Sequence, residues 1–205
     1  MTLIELLQGI SYTTPSDQAL LEQLEITKIT EDSRAVTAGT LFVALRGTQA
    51  DGHRFIPSAI EAGSRAIVLE VLPEELQEGV AYIVVPSSSE VLGLLSSALH
   101  GHPSRQLTVV GVTGTNGKTT IATLLFRLFR ALGYRCGLLS TVCNYIEDEA
   151  ISATHTTPSA PELQALLGRM RDAGCTHVFM EVSSHALAQH RVAGLHFRGG
   201  IFTNL

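Results

Sequence analysis

The run TGTNGKTT, residues 113–120, stands directly after the apolar stretch LTVVGVT and directly before a segment with helical spacing. A strand, a glycine-bearing loop and a helix in that order are the parts of a phosphate-binding loop. Gly114 and Gly117 permit backbone angles and close approaches that side chains forbid, so successive N–H groups can converge on phosphate oxygens. The helix behind them adds its positive N-terminal end. Lys118 offers a mobile charge to the β and γ phosphates, and Thr119 a hydroxyl oxygen suited to octahedral magnesium. Gly114, Thr115, Asn116, Gly117, Lys118, Thr119 and Thr120 are therefore the expected ATP-binding residues, with Lys118 also catalytic and Thr119 also a metal ligand. The general pattern asks for glycine at 112, where Val112 stands, and Gly111 comes one position early, so the loop is a variant.

Around this loop the chain alternates strand and helix. Residues 40–45 and 65–70 read as strands flanking a helix stopped by Gly63, and YIVVP is a third strand before a helix opened by Ser87–Ser89. HGHPSRQ, 100–106, is the candidate linker, which predicts domains 1–103 and 104–205. Past it the pattern predicts a strand over 107–113, a helix over 118–132 stopped by Gly133, a strand over 135–142, and a polar excursion through 147–149. A helix capped by Thr157 with Pro158 in its first position should end at Gly174. The strand THVFMEV, one short helix and a buried-looking strand GGIFTNL then close the chain. The fold class is α/β: a small N-terminal α/β domain, then a parallel-sheet P-loop domain that is cut short.

Composition removes several classes. The formal net charge is −5 with 14 scattered basic residues, which gives no field for a nucleic-acid backbone. Mean hydropathy is +0.24, yet charge, Gly or Pro interrupts every apolar run well before the roughly 18 residues of a spanning helix, so no membrane partner is expected. The N-terminus reads as a short amphipathic helix ending at Gly9 rather than a leader, which implies a cytoplasmic protein. Cys136, Cys143 and Cys175 lack metal-ligand spacing and read as buried or incidental thiols. His185 and His190, five apart, fall on different helix faces, so a histidine metal site is not expected.

GTNGKT after a strand resembles the ATP loop of the Mur ligases and of folylpolyglutamate synthetase. Three further segments narrow the likeness to the MurE type of the Mur ligase family: residues 32–70, similar to the UDP-binding domain of MurE and MurF ligases; HTTPSAPEL, 155–163; and MEVSSHALAQHRV, 180–192, followed by GGIFTNL. The resemblance implies an ATP-dependent ligase of peptidoglycan synthesis that joins a diamino acid to UDP-MurNAc-L-Ala-D-Glu through an acyl phosphate. ATP and Mg2+ are its cofactors, and the whole protein is expected to be a monomer. Diaminopimelate is the more frequent diamino acid in that family, with L-lysine the alternative. By the same resemblance Glu181 is a catalytic residue and metal ligand. Ser33, Thr48, Gln49, Ala50, His155, Thr156, Thr157, Ser183, Gln189 and Arg191 fall on substrate-binding positions, with His155 where some relatives have Asn. Asp32 and Arg34 are read as ordering the turn around Ser33, and capping by Thr157 competes with binding.

The resemblance also leads one to expect a histidine and a carbamylated lysine after FTNL, whereas the lysines here are Lys28 and Lys118. A chain of this extent is expected not to ligate, and to be poorly stable or prone to associate at its sheet edge. The rival readings are a MurF-like ligase, disfavoured by HTTP and EVSSHALAQHR, and a non-catalytic nucleotide or UDP-sugar binding module.

Overall fold

The computed structural model describes residues 1–47, 51–153 and 155–205. They form two compact units, Met1–Leu99 and His100–Leu205.

The first unit opens with helix α1 (Leu3–Leu6), whose start is set by a capping box in which Glu5 Oε2 accepts from Thr2 N at 2.8 Å and Thr2 Oγ1 accepts from Glu5 N at 3.4 Å. Helix α2 (Gln18–Gln23) follows, then a parallel sheet of β1 (Lys28–Thr30), β2 (Thr40–Val43), β3 (Ala66–Leu69) and β4 (Ala81–Val84) in sequential order. Strand β1 is an edge of three residues opened by a lysine, too short and too polar to register as an apolar run. Helix α3 (Ile56–Glu61) crosses over between β2 and β3, and α4 (Ser88–Leu99) follows β4. Phe42, Ile67, Leu69 and Tyr82 cluster with Ile56, Ala59 and Ile60 of α3, while the alternate residues Leu41, Val43, Val68 and Ile83 are also buried. Burial on both faces is what makes these strands continuous apolar runs rather than alternating ones.

The second unit contains β5 (Thr108–Thr113), α5 (Lys118–Ala131), β6 (Cys136–Leu139), β7 (Cys143–Ile146), β8 (Glu149–Ser152), α6 (Ala160–Asp172), β9 (His177–Glu181), α7 (Ser184–Ala188) and β10 (Gly199–Phe202). Its sheet runs β10-β5-β9-β6-β7-β8. The strands β10, β5, β9 and β6 are parallel, whereas β7 and β8 pair antiparallel. The sheet is thus mixed rather than purely parallel, and the polar excursion at 147–149 is a hairpin turn, with Glu147 at φ 55°. Side chains of a strand alternate between faces. Val178 and Met180 accordingly meet Leu163, Leu167 and Met170 of α6, and Phe179 meets Ala122 and Phe126 of α5. The helices cover opposite faces.

Three helices end in the same way. The N–H of Gly63, Gly133 and Gly174 bonds to the carbonyl of Ile60, Arg130 and Arg171, and the N–H of the next residue reaches Ala59, Phe129 and Met170. That is the Schellman arrangement, which needs a left-handed residue, and φ is 107°, 89° and 80° at these glycines. The start of α6 differs from expectation: its cap is Ser159, and a proline in its first turn is Pro161 rather than Pro158. Thr157 does not cap because its hydroxyl donates to the Glu181 carbonyl at 3.0 Å and accepts from Ser183 N at 3.2 Å. The last strand is an edge rather than a buried strand, with Phe202 61% exposed.

Cys136 and Cys175 are buried and free, and burial pushes each thiol up to about 11. Alkylation of the folded chain with iodoacetamide at pH 8, read by mass spectrometry, should leave both unmodified, and both should label once the chain is denatured. Leu167 is fully buried between α6 and the sheet. Leu167→Ala should lower unfolding free energy by about 2–5 kcal/mol in a urea titration, while Leu124→Ala, on the 58% exposed face of α5, should change it little.

Candidate functional site

In the second unit the carboxyl ends of β10, β5, β9 and β6 lie side by side, the edge at which open α/β sheets bind ligands. The loop 114–117 leaves β5 there and turns into α5. Gly114 has φ 131°, and a Cβ on it would collide with Thr203 Oγ1 and the Asn204 backbone. The glycine therefore lets the loop lie against the end of β10. Four bonds then fix it: Thr115 N to Asn204 O at 3.1 Å, Asn116 N to Asn204 Oδ1 at 3.0 Å, Thr203 Oγ1 to Asn116 O at 2.7 Å, and Asn204 Nδ2 to Asn116 O at 3.2 Å. Gly117, at φ 84°, is the N-cap of α5.

The first turn of a helix leaves its N–H groups without intrahelical partners, here those of Gly117, Lys118, Thr119 and Thr120. They and the helix dipole can receive an anion. Lys118 Nζ donates to Gly114 O at 2.7 Å and Thr115 O at 3.0 Å, which holds its charge over the loop.

Glu181 ends β9 and is only 1% exposed. A carboxylate removed from water needs donors. Thr119 Oγ1 donates to Oε2 at 2.9 Å, Thr141 N to Oε1 at 2.8 Å, and Thr141 Oγ1 reaches Oε2 at 3.2 Å. Thr119 and Glu181 are thus joined directly. Both carry hard oxygen donors of the kind magnesium takes beside phosphate oxygens and water. Among the described residues no group of three or more His, Cys, Asp or Glu is placed to hold a metal.

A second set of residues lies next to the first. Thr141 Oγ1 is 3.1 Å from Thr156 Oγ1. Thr157, buried, ties the ends of β9 and α7, and its carbonyl accepts from Arg191 Nη1 at 2.9 Å. Arg191 is held in turn by Gln189 Oε1, at 3.0 Å from Nε and 2.7 Å from Nη2. Ser183 Oγ caps α7 by accepting from Ala186 N at 3.1 Å. His155 is exposed beside Thr156. Thr119, Thr156, Thr157, Glu181, Ser183, Gln189 and Arg191 are brought into one connected network. Thr141 belongs to it as well, though nothing in the sequence singles it out, while Thr203 and Asn204 hold the loop beside it. The TN pair after GGIF was visible as part of a motif but not as the partner of the loop.

The remaining predicted residues belong to the first unit. Ser33 sits in a tight turn, where Asp32 accepts from Arg34 N at 3.0 Å, and Arg34 holds the Asp32 carboxyl below the usual range through its side-chain bonds. Thr48, Gln49 and Ala50 lie outside the described residues. Their flanks are tied together by a bridge between Arg46 and Asp51 and by Gly52 N to Leu45 O at 2.7 Å. His53 Nε2 accepts from Glu70 N at 3.0 Å, so Nδ1 carries the proton given to Asp51 Oδ1 at 2.6 Å.

A glycine loop between strand and helix, with a strand-end carboxylate bonded to the helix's first-turn threonine, defines a P-loop α/β protein. Residues 25–100 match the model "Mur ligase family, catalytic domain", and residues 112–205 match "Mur ligase middle domain". The chain belongs to the Mur ligase family. It is 59% identical over 184 residues to UDP-N-acetylmuramoyl-L-alanyl-D-glutamate--2,6-diaminopimelate ligase of Bacteroides fragilis, covering 90% of this chain and 38% of the relative. Identity to the protein of the same name from Bacteroides thetaiotaomicron is 53% over 205 residues, 100% of this chain and 42% of that one. A solved structure of a protein of that name superimposes with a TM-score of 0.80 at 26% identity, covering 100% of this chain and 40% of the other. A MurF crystal structure from Acinetobacter baumannii shares the fold, with a TM-score of 0.64 at 24% identity over 89% of this chain and 36% of that one. The chain spans about 40% of the length of the relatives it matches.

Gly114→Ala combines a left-handed φ with a collision against Thr203 and Asn204. It should destabilise the second unit by about 1–3 kcal/mol in denaturant melts, and proteolysis should become faster within 114–117.

Proposed function

We propose that this chain supplies the nucleotide-binding and substrate-positioning parts of a cytoplasmic ligase that adds meso-diaminopimelate to UDP-MurNAc-L-Ala-D-Glu at the expense of ATP. The observation that carries the reading is the 2.9 Å bond from Thr119 Oγ1 to Glu181 Oε2, which sets a strand-end carboxylate beside the phosphate loop. The names of the relatives at 59% and 53% identity support the substrates. A MurF ligase from Thermotoga maritima crystallised with ADP shares the fold, with a TM-score of 0.53.

In this reading residues 104–205 hold ATP and residues 1–103 hold the uridine nucleotide, with Ser33 and residues 48–50 as its contacts. The N–H groups of Gly117 to Thr120 take phosphate oxygens, and Lys118 moves from its loop carbonyls to the β and γ phosphates. Thr119 and Glu181 would hold Mg2+, which supplies charge neutralisation between phosphate oxygens. A free carboxylate is a poor electrophile, so a D-Glu carboxylate oxygen first takes the γ-phosphoryl group of ATP, and ADP leaves as the bond between the β and γ phosphates breaks. The amine then attacks the carbonyl carbon of the acyl phosphate, phosphate leaves as the C–N bond forms, and the nitrogen gives up a proton. His155, Thr156, Thr157, Ser183, Gln189 and Arg191 border that position and orient the muramoyl peptide, with the Arg191 guanidinium suited to an anionic group.

Calorimetric titration with ATP and with UDP-MurNAc-L-Ala-D-Glu tests the proposal. Both should bind, and Lys118→Ala should weaken ATP about ten- to a hundredfold, the worth of a charge-assisted bond. Failure to bind the UDP-sugar peptide would remove the ligase reading and leave a nucleotide-binding module.

A further inference from the structure

Thr141 has no role in any of the motifs, yet it bonds to both oxygens of the Glu181 carboxylate. It follows β6 in the turn before β7, where its side chain is exposed. Its N–H donates to Glu181 Oε1 at 2.8 Å, and its hydroxyl stands 3.2 Å from Oε2. Both carboxylate oxygens are therefore gripped by one residue from the side opposite the phosphate loop, while Thr119 reaches Oε2 at 2.9 Å from the loop side. The turn that presents Thr141 is itself fixed: Ser140 N donates to Asn144 Oδ1 at 3.1 Å, and Ser140 Oγ donates to Cys143 O at 2.7 Å. Asn144 and Ser140 are each 2% exposed, so this support is buried and rigid while the threonine it carries faces the site.

The Thr141 hydroxyl has a second acceptor, Thr156 Oγ1 at 3.1 Å, but only one proton to give. A carboxylate attracts that proton more strongly than a neutral hydroxyl does. A cation that draws the Thr119 hydroxyl away from Oε2 frees a lone pair there, so the Thr141 hydroxyl and the cation can share that oxygen. Both donors of Thr141 then stay on the carboxylate in either condition.

We propose that Thr141 is a positioning residue that, by holding both oxygens of the Glu181 carboxylate, aims it at the metal of the bound nucleotide. This rests on the nucleotide reading of the loop given above. The test is the affinity of a non-hydrolysable ATP analogue for the chain, measured by calorimetry with Mg2+ and with EDTA. In the unaltered chain Mg2+ should tighten binding. Thr141→Val, which removes the hydroxyl but keeps the N–H, should cut that Mg2+-dependent gain roughly five- to tenfold, as expected for one hydrogen bond to a charged group, and should leave the affinity in EDTA unchanged. Thr141→Ser should restore the gain, and in a Glu181→Gln background Thr141→Val should have no further effect. Circular dichroism of each variant checks that it is folded.

An equal loss with and without Mg2+, or an undiminished gain in Thr141→Val, would overturn the role of Thr141 while leaving the nucleotide site standing. If the unaltered chain takes no analogue under either condition, the phosphate-loop reading fails and the role of Thr141 falls with it.

Discussion

Glu181 is a carboxylate almost wholly removed from water at the end of the central parallel strands. Its desolvation has to be offset by donors, and the donors come from two separate pieces of chain, the first turn of α5 and the turn after β6, while Thr157 bonds the backbone carbonyl of the same residue. Satisfying the carboxylate and the carbonyl of this one residue therefore gathers the phosphate loop, the turn at 140–142 and the segment before α6 at a single edge. Removing any one donor leaves a buried charge short of partners, which costs more than the bond itself contributes.

The phosphate loop is held from the other side by β10. Thr203 and Asn204 bond to Thr115 and Asn116, residues nearly ninety positions earlier, and the approach is possible because Gly114 has no Cβ. The N–H groups of Thr115 and Asn116 are spent on this docking, so those of the helix's first turn remain for an anion. A conformation that β10 holds before any ligand arrives reduces the ordering entropy lost on binding.

Much of this was legible in the residues. The phosphate loop, the glycine stops of α3, α5 and α6, and the alternation of helix and strand follow from local rules, because they depend on φ, on capping and on spacing within a few residues. The hairpin of β7 and β8 was missed because its turn, Glu147 and Asp148, carries no glycine or asparagine signal and its strands are short. The capping role assigned to Thr157 failed for a different reason: a distant strand end, out of view in a local window, competes for the same hydroxyl.

The sequence by itself determined the order of strand, glycine loop and helix with Lys118 and Thr119 opening the helix, and the alternation of strand and helix around it. Only the tertiary structure decided which threonines serve Glu181. Thr119, Thr141 and Thr156 look alike as letters, and their roles differ because the order of β5, β9 and β6 in the sheet sets them around one carboxylate. Hydrogen bonds between groups 40 and 62 residues apart are fixed by strand register and crossover, which no local pattern encodes.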